Sequence, residues 1–193
     1  MFILTSEEQS ELIVNKSKFI GYSIIADSRE QFLNRVSEIK KINLSLSHTV
    51  YGLRIKKNII EPYFSDDGEP SGTAGRPLIN ILESKKIING GLVVVRYYGG
   101  INLGMGGLAR AYSQAGIKVL LTSKLINYIE QFKFLLTIEY NTLDYITKVI
   151  NDNKGVILDR IFDQSITLKI KISTRTKGLI LKKFPMVNIQ SLS

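Results

Sequence analysis

Residues 91–112 read GLVVVRYYGGINLGMGGLARAY, and this stretch decides the fold. Its first half, GLVVVRYY, has the β-branched composition of a buried strand. Gly99, Gly100, Gly104, Gly106 and Gly107 follow, and a helix then runs to about Leu121. Met105, Leu108, Tyr112, Ala115 and Val119 recur at helical spacing and predict its inward stripe. Arg110, Gln114 and Lys118, four residues apart, predict one polar, basic stripe on the same helix. A strand, a glycine loop and a helix in this order mean a mixed fold, α+β in class.

Toward the N-terminus, residues 9–14 and 17–26 read as two strands turning at Asn15-Lys16. Asp27-Ser28 offers an N-cap for a helix to about Lys41, with Phe32, Val36 and Ile39 on one face. A strand is expected over 48–56 and a short one over 61–64. The polar loop SDDGEPSG then leads to a helix from near Thr73 to about Glu83. Toward the C-terminus, Phe132, Phe134, Leu136, Ile138 and Tyr140 alternate with less apolar neighbours, the pattern of a half-buried strand. A helix over 142–151, a strand over 155–162, a strand over 165–172, a helix over 174–184 and a final strand in VNIQSLS complete the order βαββαβ. That order predicts a ferredoxin-like module. The boundary is expected within 124–130, giving an N-terminal α/β domain, 1–126, and a C-terminal domain, 127–193.

Composition narrows the chemistry. The chain has 193 residues and no cysteine, so it has no disulfide partner, thiol nucleophile or Cys-ligated metal. The N-terminal segment MFILTSEEQSELIV lacks the basic and apolar regions of a signal peptide. No stretch approaches the ~20 apolar residues of a membrane span. A cytoplasmic protein without a membrane partner is expected. Lys and Arg number 26 against 17 Asp and Glu, a net charge of +9, which favours polyanionic partners such as RNA or a ribosomal surface. The excess is spread out: residues 1–126 carry 16 basic and 11 acidic groups, and the remainder 10 and 6.

Two loops hold the candidate chemistry. The glycine loop at 99–107 lets backbone N–H groups approach an anion at a helix N-terminus; equally, the glycines serve close packing and a tight turn. The standard nucleotide fingerprints are absent. In SDDGEPSGTAGRP, 65–77, Asp66, Asp67 and Glu69 crowd three carboxylates that suit a metal, an acid–base pair or a solvated turn. They have Arg76 and Arg96 as potential partners. His48, the single histidine, starts a strand beside Ser47; a triad can be drawn there, but no nucleophile elbow is present. Tyr97 and Tyr98 alternate on a strand, so one turns inward and the other offers a stacking face. No catalytic residue, metal ligand or cofactor is assigned.

SDDGEPSGTAGRP followed by VVVRYYGGINLGMGGLARAYSQA resembles the signature of the IMPACT/YigZ family, as do NKSKFIG and SHTVYGLRI. Tyr97-Tyr98 stands where Tyr-Phe is expected, and the last strand is expected to be short. The resemblance implies a first domain like the second domain of a small-subunit ribosomal protein, and an ensemble like the last two domains of elongation factor G. It also implies translational control, which eukaryotic relatives exert through a protein partner. Three functions follow as alternatives. The first is a translation-associated protein contacting RNA or the ribosome through Arg110, Lys118 and the glycine loop, with Arg76, Arg96 and Lys18 contributing. The second is an enzyme acting on a phosphorylated small molecule or nucleotide through the DDGE and glycine loops. The third is a protein-interaction module.

Overall fold

The strand read from GLVVVRYY extends over Gly90–Tyr97 and lies at the centre of a five-stranded sheet. The structure is a computed structural model describing residues 1–43 and 48–192. The chain divides into two compact units, Met1–Tyr128 and Ile129–Ser193. The first contains β1 (Phe2–Leu4), β2 (Gln9–Val14), β3 (Ser17–Ile25), α1 (Arg29–Ile42), β4 (His48–Lys56), β5 (Ile60–Ser65), α2 (Gly75–Ser84), β6 (Gly90–Tyr97), α3 (Gly104–Thr122) and β7 (Leu125–Asn127).

The large sheet has the order β2-β3-β6-β4-β5, and every pairing in it is antiparallel. This corrects the α/β reading of the first domain. β3 and β4 run the same way and are joined by α1, but β6 is inserted between them, so no parallel pair forms. Each unit is α+β.

Leu92 and Val94 of β6 pack with Leu78, Ile79 and Leu82 of α2 and Ala111, Tyr112 and Ala115 of α3. Val93 and Val95 point the other way, toward Phe32, Val36 and Ile39 of α1. Burial on both faces explains the unbroken apolar run, because neither side of the strand meets water. Each fully buried aliphatic side chain there contributes about 1.5–3 kcal/mol before entropy is counted.

Local chemistry sets the connections. Asn15 and Lys16 both adopt positive φ (44° and 65°), the primed turn that matches strand twist in a two-residue hairpin. Ser28 Oγ accepts from Gln31 N at 3.1 Å and caps α1. Helix α2 starts at Gly75, not Thr73, because the preceding residues form a turn in which Thr73 N donates to Pro70 O. A two-stranded sheet, β1 with β7, escaped the sequence reading. Met105, expected inward, is 63% exposed in the first turn of α3.

The second unit contains β8 (Phe132–Ile138), a 3-10 turn at Tyr140–Thr142, α4 (Leu143–Asp152), β9 (Val156–Phe162), β10 (Ile166–Ile172), α5 (Thr174–Lys183) and β11 (Asn188–Ser191). Its antiparallel sheet has the order β11-β8-β10-β9. One face, with Phe134, Leu136, Ile138, Leu168 and Ile170, packs against Ile146 and Ile150 of α4 and Ile180 of α5. Phe132 and Tyr140, expected on that face, are exposed, and Tyr140 belongs to the turn after the strand. The final strand stops at Ser191, and Ser193 lies outside the described residues.

Candidate functional site

The SDDGEPSG loop follows β5, and the glycine loop joins β6 to α3. The three acids of the first loop have separate tasks. Asp66 accepts from Gly72 N (2.9 Å), Ala74 N (3.0 Å) and Gly75 N (2.8 Å). It supplies the cap that Ala74 cannot, so its carboxylate closes the start of α2. Asp67 has positive φ (46°). Its side chain accepts from Thr49 N at 2.6 Å and from Lys40 Nζ at 3.1 Å. Its backbone carbonyl lies 2.8 Å from His48 Nδ1.

Glu69 alone of the three is buried, 8% exposed. Its Oε1 accepts from Arg96 Nη1 at 2.7 Å and from the Tyr112 hydroxyl at 2.8 Å. Arg96, 5% exposed, also approaches Ser17 Oγ at 3.5 Å. Its guanidinium carbon lies 5.6 Å from the Phe19 ring centroid and 5.3 Å from that of Tyr98, distances at which a cation interacts with a π face. The Tyr112 phenol is pushed far above its ordinary value, first by burial and then by the charge of Glu69. It stays protonated and donates. Charge is therefore balanced inside the core, one guanidinium against one carboxylate.

His48 Nδ1 faces a carbonyl oxygen, which can only accept, so Nδ1 carries the proton. In the neutral ring Nε2 is then a base, and it lies 4.0 Å from Glu69 Oε1. Ser47, which a triad would require, lies outside the described residues. A cleft of about 510 Å³ opens over this cluster. His48, Glu69 and Arg96 line it with Tyr98, Asn102, Gly104 and Met105. Asp66, Asp67 and Arg76 do not. Among the described residues, no group of three or more His, Asp or Glu side chains is placed to hold a metal ion.

The glycine loop serves geometry first. A Cβ on Gly99 would lie 2.1 Å from the Lys16 carbonyl carbon, so only glycine fits against the β2–β3 turn. Ser17 Oγ accepts from Gly99 N at 3.2 Å. Gly100 and Gly104 have positive φ (80° and 66°), which glycine adopts without a steric cost. Gly106 is exposed, Gly107 half-buried, and among the described residues no side-chain bond caps α3 at Leu103. The N–H groups of its first turn lack intrahelical partners.

The cations are arranged unequally. Arg110, Gln114 and Lys118 are exposed on α3. Arg110 folds back over the first turn, with Nη1 3.6 Å from the position of a Cβ on Gly106. Lys118 Nζ donates to the Glu11 carbonyl at 2.6 Å. Lys18 pairs with the Glu11 carboxylate at 2.7 Å. Arg76 is exposed on the first turn of α2. Tyr97 is half-buried and donates to Asn43 Oδ1 at 3.0 Å, whereas Tyr98 is 49% exposed and donates to Asn102 Oδ1 at 3.1 Å. The sequence reading missed Asn102 and Ser17 and took Tyr112 as plain core. The signal for Tyr112 was its hydroxyl, which needs a partner once buried.

Residues 15–120 match the family model described as the Impact N-terminal domain. A Haemophilus influenzae protein described as an IMPACT family member is 33% identical over 165 residues, covering 84% of this chain and 80% of that one. IMPACT family member YvyE of Bacillus subtilis is 32% identical over 145 residues, covering 75% and 64%. IMPACT family member YigZ of Escherichia coli is 36% identical over 112 residues, covering 56% and 53%. A crystal structure described as that of a hypothetical protein superposes with a TM-score of 0.73, covering 100% of this chain and 97% of the other; at 24% identity it speaks for the fold alone. With more than half its length matched to the family's domain and these relatives beside it, the chain belongs to the IMPACT family.

Proposed function

We propose that this IMPACT family protein is a cytoplasmic, translation-associated regulatory binding protein whose first unit contacts RNA or a ribosomal surface. One observation carries the reading: exposed Arg110 lies over the first turn of α3, whose N-cap Leu103 makes no side-chain cap bond, so that a cation and N–H groups without intrahelical partners stand together. Both favour phosphate. Lys118 extends the stripe and Arg76 adds an exposed cation on α2. The net charge of +9 supplies long-range attraction. The family resemblance implies a first domain like one of a small-subunit ribosomal protein and an ensemble like the last domains of elongation factor G, which supports the same reading, and the antiparallel βαββαβ unit is consistent with a ferredoxin-like second domain.

The test is fluorescence anisotropy of labelled single-stranded RNA against salt. Binding through phosphate contacts falls steeply as salt rises, because each contact releases counterions. Salt-independent binding, or none at low salt, defeats the proposal and leaves a protein partner in translational control. The enzyme alternative retains one support, the His48 Nε2 base beside Glu69 in a cleft. Its acids are reduced to Glu69, because Asp66 and Asp67 hold backbone.

A further inference from the structure

We infer that the cleft between the DDGE loop and the start of α3 is a pocket for one unpaired RNA base, bordered by Tyr98 and Met105 and lined by His48, Glu69, Arg96 and Asn102. This rests on the RNA-binding reading above and assigns a role that the basic stripe does not fill.

Charge decides against the phosphate itself. Arg96 is already paired with Glu69 at 2.7 Å, so among the described residues the cleft has no spare guanidinium or ammonium. A phosphate seated there would lie against the buried Glu69 carboxylate and lose its own hydration. The groups left over suit a neutral ligand. Arg96 lines the cleft with its guanidinium held by Glu69 and Ser17. In the neutral ring His48 Nε2 is an acceptor, because Nδ1 holds the proton for the Asp67 carbonyl. Asn102 receives the Tyr98 hydroxyl on Oδ1, which leaves its amide N–H groups to donate.

The remaining wall is flat and polarizable. Tyr98 is 49% exposed with its hydroxyl tethered, and Met105 is 63% exposed. Both contradict the usual preference for burial and both border the same cleft. An aromatic face and a thioether beside mixed donors and acceptors match a planar heteroaromatic ring with polar edges, which is a nucleobase. The cleft, about 510 Å³, falls within the range of small-ligand pockets. Arg110 and the α3 N–H groups are left for the phosphates.

The experiment uses the full chain and two hexameric single-stranded RNAs of equal charge, one with bases and one abasic. A 2-aminopurine placed in the first reports stacking through quenching. The base-bearing strand is expected to bind on the order of tenfold more tightly than the abasic one at equal salt. Tyr98→Ala should erase that difference and the quenching, Tyr98→Phe should keep both, and Met105→Ala should reduce both. These side chains are half-exposed or more, and circular dichroism checks that the variants fold. Equal affinity for the two strands with no quenching overturns the pocket and leaves the phosphate reading standing. Binding of neither strand overturns both.

Discussion

The two larger sheets share a device and differ in how it is covered. In the first unit, β3-α1-β4 places two strands on either side of antiparallel β6; in the second, β8-α4-β9 does the same around β10. Yet β6 is buried on both faces, and β10 on one, with Lys169 and Lys171 turned to solvent. A charged residue in β10 has a wet face to occupy. Arg96 in β6 has none, so its charge is met inside by Glu69 and Ser17. The polar cluster under the cleft is thus a consequence of covering the central strand twice.

The largest expected effect tests this contrast directly. Arg96→Met leaves Glu69 charged and buried without its partner, which costs about 3–5 kcal/mol. Lys171→Met on the open face of β10 should change stability by under ~0.5 kcal/mol. The triple variant Glu69→Met/Arg96→Met/Tyr112→Phe should recover most of the loss, because well-packed apolar side chains replace the ion pair at little cost and no buried phenol is left without its acceptor. Urea unfolding followed by circular dichroism measures all three. Similar small losses for Arg96→Met and Lys171→Met would erase the distinction between the strands.

Tyr112→Phe comes next, at about 1.5–3 kcal/mol for a buried hydrogen bond to a charged acceptor. It also carries a pH signature. The folded-state pKa of Tyr112 is raised above the ordinary value of 10.0 by burial and by Glu69. Below pH 10 both folded and unfolded states hold the proton, and the stabilisation is complete. Above it the unfolded chain ionises while the buried phenol does not, so the wild type loses about 1.4 kcal/mol per pH unit that Tyr112→Phe does not. Urea midpoints of the two proteins should converge between pH 10 and 11. Parallel curves would mean that the phenol meets water.

Much of this fold was legible. Period-two alternation located β8 and β10, helical spacing located α1 and α3, and Asn15-Lys16 marked a hairpin. Local rules failed where partners are distant. β1 and β7 are three residues each, too short for any period to register, and Phe2 pairs with Asn127. In the site, residue types were legible and roles were not. Nothing local distinguishes Asp66, bonded to Gly75 N nine positions on, from Glu69, bonded to Arg96 and Tyr112. Met105 sits at an inward helical position but in a first turn that borders a cleft instead of the sheet.

Asp66 can be separated from Glu69 and its cluster by experiment. Asp66→Ala removes a cap and should cost about 1–2 kcal/mol, less than Arg96→Met. Its effect should appear as faster amide exchange at the start of α2, with the cleft residues unchanged. Protection lost equally around His48 and Arg96 would show that the loop acts as one unit.

The smallest effect concerns charge without stability. Arg110 carries its charge into solvent, and Lys118 keeps its charge because a backbone carbonyl orients an ammonium without neutralising it. Lys18 is different: the Glu11 carboxylate at 2.7 Å cancels it locally. Phosphate binding counts only cations that displace counterions. Arg110→Ala and Lys118→Ala should each lower the log–log salt slope for single-stranded RNA by about 0.7, and together by about 1.4. The pair deletion Glu11→Ala/Lys18→Ala leaves net charge unchanged and should leave the slope unchanged. All of these exposed changes should alter stability by under ~0.5 kcal/mol. A slope that drops as much for the pair deletion as for Arg110→Ala would mean that Lys18 releases Glu11 on binding, and that the contact surface reaches past α3 to the β2–β3 hairpin.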